Sequence, residues 1–175
     1  MVVEISNLKG LKMKNFAIIL SGCGQHDGSE THETILTLLA LDRASVNWQG
    51  FAPDVTAGVI DHVTSTDTDG SRSVLQESAR LVRGKIKPLS VLNVADFDAI
   101  VFPGGMGAVK VLCNWYERKS DFTFNHDVKK TLDAAVELGK PLGFICIAPM
   151  MITKVFSDAK FTIGNDKNLA AEIVA

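Results

Sequence analysis

The stretch from Lys140 to Pro149, which reads KPLGFICIAP, decides the fold of this chain. Residues 142–145 form an apolar run that is too short for a helix, which predicts a buried strand. Pro149 suits the first turn of a helix, where its missing N–H is not needed. Cys146 is therefore predicted to lie where a strand turns sharply into a helix, a position called a nucleophile elbow.

Two interpretations of Cys146 fit this stretch. At the start of a helix, the backbone N–H groups and the helix dipole favour a negative charge, so they lower a thiol pKa and increase the reactive thiolate. A free cysteine also packs well as a small hydrophobic residue, so a purely structural Cys146 is the alternative.

The composition indicates one globular domain. The chain has 175 residues, 46% of them hydrophobic and 22% charged, with a net charge of -2. This charge gives no reason to expect a nucleic-acid partner or an anionic membrane surface, and no apolar run has the length of a membrane span. We expect an N-terminal extension over residues 1–13, without a secretory or clear transit signal, and a domain over residues 14–175.

Cysteine usage indicates a reducing compartment. Cys23, Cys113 and Cys146 are far apart, an odd number that forms no disulfide framework and no zinc-binding spacing. The sequence therefore predicts no metal site. A cytoplasmic location is expected, with a mitochondrial one as the alternative.

The order of elements predicts an α/β fold with a mostly parallel sheet and helices on both faces. Residues 54–71 are polar and predict a long surface excursion with a short hairpin near 59–63. Strands are predicted over 16–21, 46–51, 98–103, 142–145 and 160–163. The first predicted helix covers residues 31–44, and its apolar face carries Ile35, Leu38, Leu39 and Leu41. Further helices are predicted over 71–83, from a cap at Asn125 to Leu138, over 148–156, and from Asn165 and Asp166 onward.

Three loops are expected to meet at the carboxyl ends of the parallel strands, where such sheets bind ligands. They cover residues 22–30, 103–107 and 146–149. A backbone N–H of the Gly104-Gly105 turn, with that of Ile147, would form an oxyanion hole beside Cys146. Acidic residues at the start of the first helix, Glu30 or Glu33, would reach the same rim. The alternative for the Gly104-Gly105 turn is an ordinary strand-end turn. The alternative for either acid is simple complementation of the helix dipole.

Several motifs together resemble the PfpI-type cysteine superfamily of the class I glutamine amidotransferase-like fold. The closer resemblance is to its ElbB subgroup, the isoprenoid-biosynthesis glyoxalases, and it covers about residues 14–175. The motifs are SGCG at 21–24, GSETHET at 28–34, FAPDV at 51–55, ESAR at 77–80, FPGG at 102–105, ICIAP at 145–149 and IGND at 163–166.

The resemblance implies a flavodoxin-like three-layer sandwich and a homodimer. It implies Cys146 as the nucleophile, Glu33 as its acidic partner, and Gly105 and Ile147 as the oxyanion donors. It further implies cofactor-free conversion of methylglyoxal or glyoxal to a hydroxy acid. Cys23, His32, Gly104 and Asn165 are candidates for supporting positions around these residues.

Two departures from the family pattern matter. All four histidines (His26, His32, His62 and His126) precede Cys146, so a downstream Cys–His–acid triad and glutaminase chemistry are excluded for this sequence. The chain also stops within its last predicted helix, so the sheet is predicted to lack the final strand–helix unit that subgroup members carry.

The sequence thus favours a thiol-dependent enzyme acting on small reactive carbonyls. The alternative is a non-catalytic redox-sensing or interaction protein that retains an oxidisable Cys146. Neither hypothesis requires a cofactor.

Overall fold

The structure is a computed structural model that describes residues 13–156, 158–162, 165, 167, 169 and 170. The strands are β1 (Asn15–Ile19), β2 (Asn47–Ala52), β3 (Thr56–Asp61), β4 (Thr66–Ser73), β5 (Ile86–Pro88), β6 (Ala99–Phe102) and β7 (Leu142–Phe144). Five of them form a parallel sheet in the order β5-β2-β1-β6-β7, while β3 and β4 form a separate antiparallel hairpin. The predicted parallel sheet is confirmed.

Helices cover both faces of this sheet. They are α1 (Thr31–Arg43), α2 (Val74–Leu81), α3 (Gly107–Lys110), α4 (Trp115–Arg118) and α5 (His126–Glu137), with short 3-10 helices at Leu89–Val91, Val94–Asp96, Lys119–Asp121 and Ala148–Lys154. The central strand shows the two faces directly. Ala17 and Ile19 pack in the core beneath α5, whereas Ile18 and Leu20 pack in the core beneath α1 and α2. This alternation makes a three-layer α/β sandwich, as predicted.

Burial of β1 anchors the fold. Ile18, Ile19 and Leu20 have no exposed surface. Each such side chain contributes about 1.5–3 kcal/mol of hydrophobic free energy when it is removed from water. Because β1 lies in the middle of the sheet, this burial also fixes the loop that follows it, residues 22–30.

Side chains define the ends of the longer helices. The Asn125 side chain accepts hydrogen bonds from the N–H groups of Asp127 and Val128, which confirms the predicted cap. Gly139 follows the end of α5 with a φ of +60°, a conformation that glycine adopts without strain.

The prediction for the apolar face of α1 is only partly correct. Thr34, Leu38 and Leu41 are buried, whereas Ile35 and Leu39 are 44% and 41% exposed. Thr34 faces the protein because its hydroxyl donates to the Glu30 carbonyl at 2.8 Å, so it does not need another polar partner. Hydrophobicity alone does not reveal such a rotation of a helix.

Other differences concern short elements. The sequence analysis missed β5, which has only three residues, and underestimated the hairpin, whose strands span Thr56–Ser73. The helix predicted over 148–156 is a 3-10 helix over Ala148–Lys154. The strand predicted over 160–163 is wrong for residues 160–162, which are irregular, and its last residue lies outside the described part.

The ends of the chain are described only in part. Of the predicted extension over 1–13, only Met13 is described, and the helix predicted from Asn165 and Asp166 falls largely on residues outside the described part. Within the described residues, β7 is an edge strand of the sheet.

Candidate active site

Cys146 lies directly after β7, at a sharp turn. The N–H of Ile145 donates to the Phe102 carbonyl at 3.1 Å, and Ala148 donates back to Ile145 at 3.0 Å. Between them, Cys146 has a φ of +58°, a left-handed conformation that is strained for a residue with a side chain. Pro149 occupies the first turn of the following 3-10 helix. The predicted strand-to-helix turn at Cys146 is therefore confirmed.

The Gly104-Gly105 turn passes close to this elbow. A Cβ atom on Gly104 would overlap both the Cys146 side chain and the Glu33 carboxylate, and would lie 2.8 Å from the Ile145 carbonyl oxygen. Gly105 has a φ of +94° and packs directly against the backbone of loop 22–30. Glycine is required at both positions. A side chain on Gly104 would fill the space between the thiol and the acid, and one on Gly105 would overlap the backbone of loop 22–30.

Glu33 reaches the thiol from the first turn of α1. Its Oε2 atom accepts a hydrogen bond of 3.0 Å from the N–H of Gly104, and its carboxylate lies close enough to Cys146 to raise the pKa of that thiol. Glu30 has a different task, because its side chain accepts from the Glu33 N–H at 2.7 Å and caps the helix. Of the two acidic candidates, the structure brings Glu33 to the site.

Backbone donors complete the surroundings of the sulfur. The N–H groups of Gly105 and Ile147 lie near Cys146 and lower the pKa of its thiol. These are the two donors that the resemblance implied. An anion that develops at or next to the sulfur would therefore find two fixed N–H dipoles.

The pKa of the Cys146 thiol is raised above its ordinary value of 9.0. Partial burial of the sulfur raises this pKa most, followed by the hydrogen bond and negative charge of Glu33, while the N–H groups of Gly105 and Ile147 lower it. The backbone N–H groups at the helix start lower the thiol pKa as expected, but burial and the Glu33 carboxylate raise it by more.

The three loops predicted to converge do meet. The N–H of Met106 donates to the Gln25 carbonyl at 2.8 Å, and that of Gly107 donates to Gly28 at 3.0 Å. The N–H of Glu30 donates to the Gly104 carbonyl at 2.8 Å. Loop 22–30 and the 103–107 turn thus form one unit around the elbow.

The other candidate residues lie further out. The His32 ring is mostly exposed and contacts the Glu30 carboxylate at 3.1 Å. Cys23 lines a separate cavity beside the β3–β4 hairpin, and burial raises its pKa as well. Asn165 is exposed. Cys113 belongs to the core, where burial raises its pKa to about 11.

Three buried serines support the site although the sequence analysis gave them no role. The Ser29 hydroxyl accepts from the Ser21 N–H at 2.9 Å and contacts the Ser21 hydroxyl at 3.2 Å. The Ser78 hydroxyl accepts from the Gly22 N–H at 2.8 Å. These contacts fix the loop that precedes Glu33. The signal for Ser78 was its position on the inner face of an amphipathic helix, where a polar residue needs a partner.

A curated human protein is similar to most of this chain. The chain is 43% identical over 153 residues to the human glutamine amidotransferase-like class 1 domain-containing protein 3, mitochondrial, covering 86% of the chain and 57% of that protein. The chain thus spans less than two thirds of this curated relative. No protein-family model matches the sequence.

Solved structures provide a second comparison. The crystal structure of an isoprenoid biosynthesis protein with amidotransferase-like domain from Ehrlichia chaffeensis is 35% identical, with a TM-score of 0.78, and the match covers 83% of this chain and 70% of that one. A ThiJ/PfpI domain protein from Brachyspira murdochii shares the fold at 13% identity, with a TM-score of 0.55 over 93% of this chain and 76% of that one. No helix in the described part of the chain is long and apolar enough to cross a membrane. The chain therefore belongs to the class I glutamine amidotransferase-like proteins, in the group of the isoprenoid-biosynthesis proteins with an amidotransferase-like domain.

Proposed function

We propose that this chain is a cysteine-dependent, cofactor-free enzyme of the glyoxalase type, which converts methylglyoxal or glyoxal to a hydroxy acid. One observation carries the proposal: the Gly104 turn brings the Glu33 carboxylate next to the Cys146 side chain, with the backbone N–H groups of Gly105 and Ile147 near the thiol. These are a nucleophile, an acid–base group and an oxyanion site at one point.

The first step is attack of sulfur on the aldehyde. Because the thiol pKa is raised above 9.0, the thiol is largely protonated near neutral pH. Glu33 takes this proton as the Sγ–C bond forms, and the aldehyde oxygen becomes an alkoxide held by the Gly105 and Ile147 N–H groups. Return of the proton to the alkoxide gives a neutral hemithioacetal.

The second step moves hydrogen between the two carbons. The Glu33 carboxylate removes the proton from the former aldehyde carbon, and an enediolate forms. Protonation of the neighbouring carbon converts the ketone to an alcohol and the hemithioacetal to a thioester. One carbon is oxidised and the other reduced, so no external oxidant or reductant is needed.

The last step is hydrolysis. Water attacks the thioester carbon, the C–S bond breaks, and the hydroxy acid leaves with the thiol regenerated. The same two N–H groups stabilise the second oxyanion.

The test is lactate formation from methylglyoxal by the wild-type chain, Cys146→Ser and Glu33→Gln. We expect measurable turnover by the wild type and none by Cys146→Ser. Cys113→Ser is a control for unspecific thiol chemistry, because this buried thiol lies in the core. Lactate formation that persists in Cys146→Ser would refute the proposal.

A redox-sensing role is the second candidate. It is favoured by the exposure of Cys146, beside two N–H groups that would equally hold the oxygens of a sulfinate. Conversion of Cys146 to a stable sulfinate by mild peroxide, without turnover of either aldehyde, would support this role. Measurable turnover would count against it.

Location and assembly are also proposed from likeness. The human relative is named as mitochondrial. This name supports a mitochondrial location over the cytoplasmic one, and cell fractionation tests it. The family resemblance supports a homodimer, for which light scattering gives the mass in solution.

A further inference from the structure

The β3–β4 hairpin contacts loop 22–30 through the imidazole ring of His62. The backbone N–H of His26 donates to the Nε2 atom of His62 at 3.2 Å, and the centroids of the two histidine rings lie 4.8 Å apart. The His62 ring also packs against Gly24, where an added Cβ would come within 2.6 Å of Nε2. A side chain of the hairpin thus holds the backbone of the loop.

The hydrogen bonds of His62 define one protonation state of its ring. The Nε2 atom accepts from an N–H group, so it carries no hydrogen. The Nδ1 atom lies 3.0 Å from the Ile60 carbonyl oxygen, which only accepts, so Nδ1 carries the hydrogen. The contact with the loop therefore requires a neutral His62 ring with its hydrogen on Nδ1.

Protonation of His62 would exchange the partner of Nε2. The new hydrogen on Nε2 would face the His26 N–H, and two donors do not bond to each other. The Oδ1 atom of Asp27 lies 3.9 Å from the same nitrogen and would accept this hydrogen, while Oδ2 of Asp27 accepts from the Ile60 N–H at 2.8 Å. The hairpin would then hold a side chain of the loop, and the His26 N–H would be released.

Charged and titratable groups of both signs surround the His62 ring. They are Asp61 and Arg72 on the hairpin, Cys23, His26 and Asp27 on loop 22–30, and Lys110 on α3, whose Nζ donates to the His26 carbonyl at 3.3 Å. The carboxylates favour a protonated ring, and the cations oppose it. Histidine side chains change charge between about pH 5 and pH 8, which sets the range for the experiments.

Loop 22–30 connects this contact to the Cys146 elbow. The carbonyl of Gln25, the neighbour of His26, accepts from the N–H of Met106 at 2.8 Å. Met106 follows Gly105, whose N–H is one of the two donors near the Cys146 thiol. A continuous series of hydrogen bonds and backbone therefore leads from the hairpin to an oxyanion donor.

We propose that His62 is a positioning residue for the candidate active site. In its neutral form it holds loop 22–30 in the position that directs the Gly105 N–H toward the oxyanion, and its protonation releases this hold. The inference rests on the proposed function for the role of that donor, and on the hairpin contacts for the role of His62.

NMR spectroscopy tests the contact directly. The nitrogen-15 shifts of the His62 ring distinguish the two tautomers from the protonated form, and the amide signal of Met106 reports on the loop. We expect the Nδ1–H tautomer at about pH 8, and a Met106 signal that moves with the midpoint of the His62 ring between about pH 8 and pH 5. In His62→Gln, whose side chain does not titrate, the movement at this midpoint should disappear. His126→Gln, at an exposed histidine on α5, is the matched control and should keep it.

Kinetics test whether the contact acts on the site. The kcat and KM for methylglyoxal are measured near pH 7.5 and 5.5 for the wild type, His62→Gln and His126→Gln. The pH dependence of the thiol is common to all three proteins and cancels in the comparison. Loss of one oxyanion donor lowers kcat by about 10²–10³-fold, and displacement of a donor costs part of this factor. We therefore expect kcat to fall about threefold more in the wild type and in His126→Gln than in His62→Gln, with a smaller change in KM.

The outcomes separate this inference from the proposed function. A Met106 amide signal that does not follow the His62 ring, or a neutral His62 ring with its hydrogen on Nε2, would overturn the inference. An equal fall of kcat in the wild type and His62→Gln would overturn it as well, while the glyoxalase proposal would stand. Absence of turnover in all three proteins would refute the glyoxalase proposal, and the NMR signals would still decide whether His62 positions the loop.

Discussion

The Oε2 atom of Glu33 accepts a hydrogen bond of 3.0 Å from the N–H of Gly104, although the two residues are 71 positions apart. The Gly104 carbonyl in turn accepts from the N–H of Glu30 at 2.8 Å. The backbone N–H and the carbonyl of Gly104 are therefore both hydrogen-bonded to residues at the start of α1. Since Gly104 also packs against Cys146, this pairing sets the position of the acid relative to the thiol.

Substitution of Gly104 by alanine should disrupt the site. The new Cβ would overlap the Cys146 side chain and the Glu33 carboxylate. We expect a loss of about 1–3 kcal/mol in the free energy of unfolding and a loss of turnover. Urea denaturation and lactate formation measure the two effects. Gly58→Ala is the control, because nothing lies within 4 Å of its added Cβ; equal stability of the two variants would contradict the overlap.

Glu33→Gln should separate thiol reactivity from catalysis. Loss of the negative charge lowers the pKa of the Cys146 thiol, so alkylation by iodoacetamide at pH 7 should be about three- to tenfold faster. Turnover of methylglyoxal should fall by about 10²-fold or more, because the general base is lost. Glu137→Gln, on the exposed face of α5, should change neither rate. A slower alkylation in Glu33→Gln would mean that Glu33 acts in its protonated form.

The alkylation rate of wild-type Cys146 should keep rising beyond pH 9. Its thiol pKa is raised above 9.0, so the thiolate fraction increases about tenfold per pH unit below that pKa. Mass spectrometry of the modified peptides distinguishes the three thiols. A rate that levels off near neutral pH would show that the two backbone donors outweigh Glu33.

Cys113 should make the folded state sensitive to alkaline pH. Its folded pKa of about 11 lies above the ordinary 9.0, so the folded state holds the proton more tightly than the unfolded chain. The stabilisation is complete below pH 9 and is lost as pH rises toward 11, by about 2–3 kcal/mol. Denaturation at several pH values, compared with Cys113→Ala, isolates this effect from other groups. A constant difference between the two proteins would contradict it.

The strained backbone at Cys146 predicts which of two substitutions there gives the more stable protein. Cys146 has a φ of +58°, which costs a residue with a Cβ about 1 kcal/mol or more. Cys146→Gly should therefore be more stable than Cys146→Ala by about 0.5–1 kcal/mol, after allowance for the greater freedom of glycine in the unfolded chain. Thermal denaturation of this pair gives the difference; a more stable alanine variant would show that the turn is unstrained.

Sequence reasoning predicted the parts of the fold that depend on strong local patterns. The apolar runs of β1 and β6 and the capped helix α5 have unambiguous signals. The three residues of β5 do not, because strand pairing with β2 defines that element. The 3-10 geometry of Ala148–Lys154 was also missed, since a helical pattern does not distinguish the two helix types.

The sequence predicted where the site residues lie better than it predicted the direction of the thiol pKa. The predicted strand boundaries place Gly104, Gly105 and Cys146 in loops at the ends of strands. The structure brings these three residues together. The residues alone left Glu30 and Glu33 open, and the family resemblance implied Glu33; the structure shows Glu30 capping the helix and Glu33 bound to the Gly104 N–H. The direction of the thiol pKa depends on a balance between burial, charge and backbone donors, and no spacing in the sequence gives that balance.

The two hydrogen bonds of Gly104 link the reactive thiol to the integrity of the whole domain. Glu33 and Gly104 follow β1 and β6, two strands that pair with each other in the sheet. The environment of the sulfur therefore depends on this pairing and is lost when the pairing is lost. A simple thiol reagent can therefore serve as a probe of native structure in this protein, without any label added to the chain.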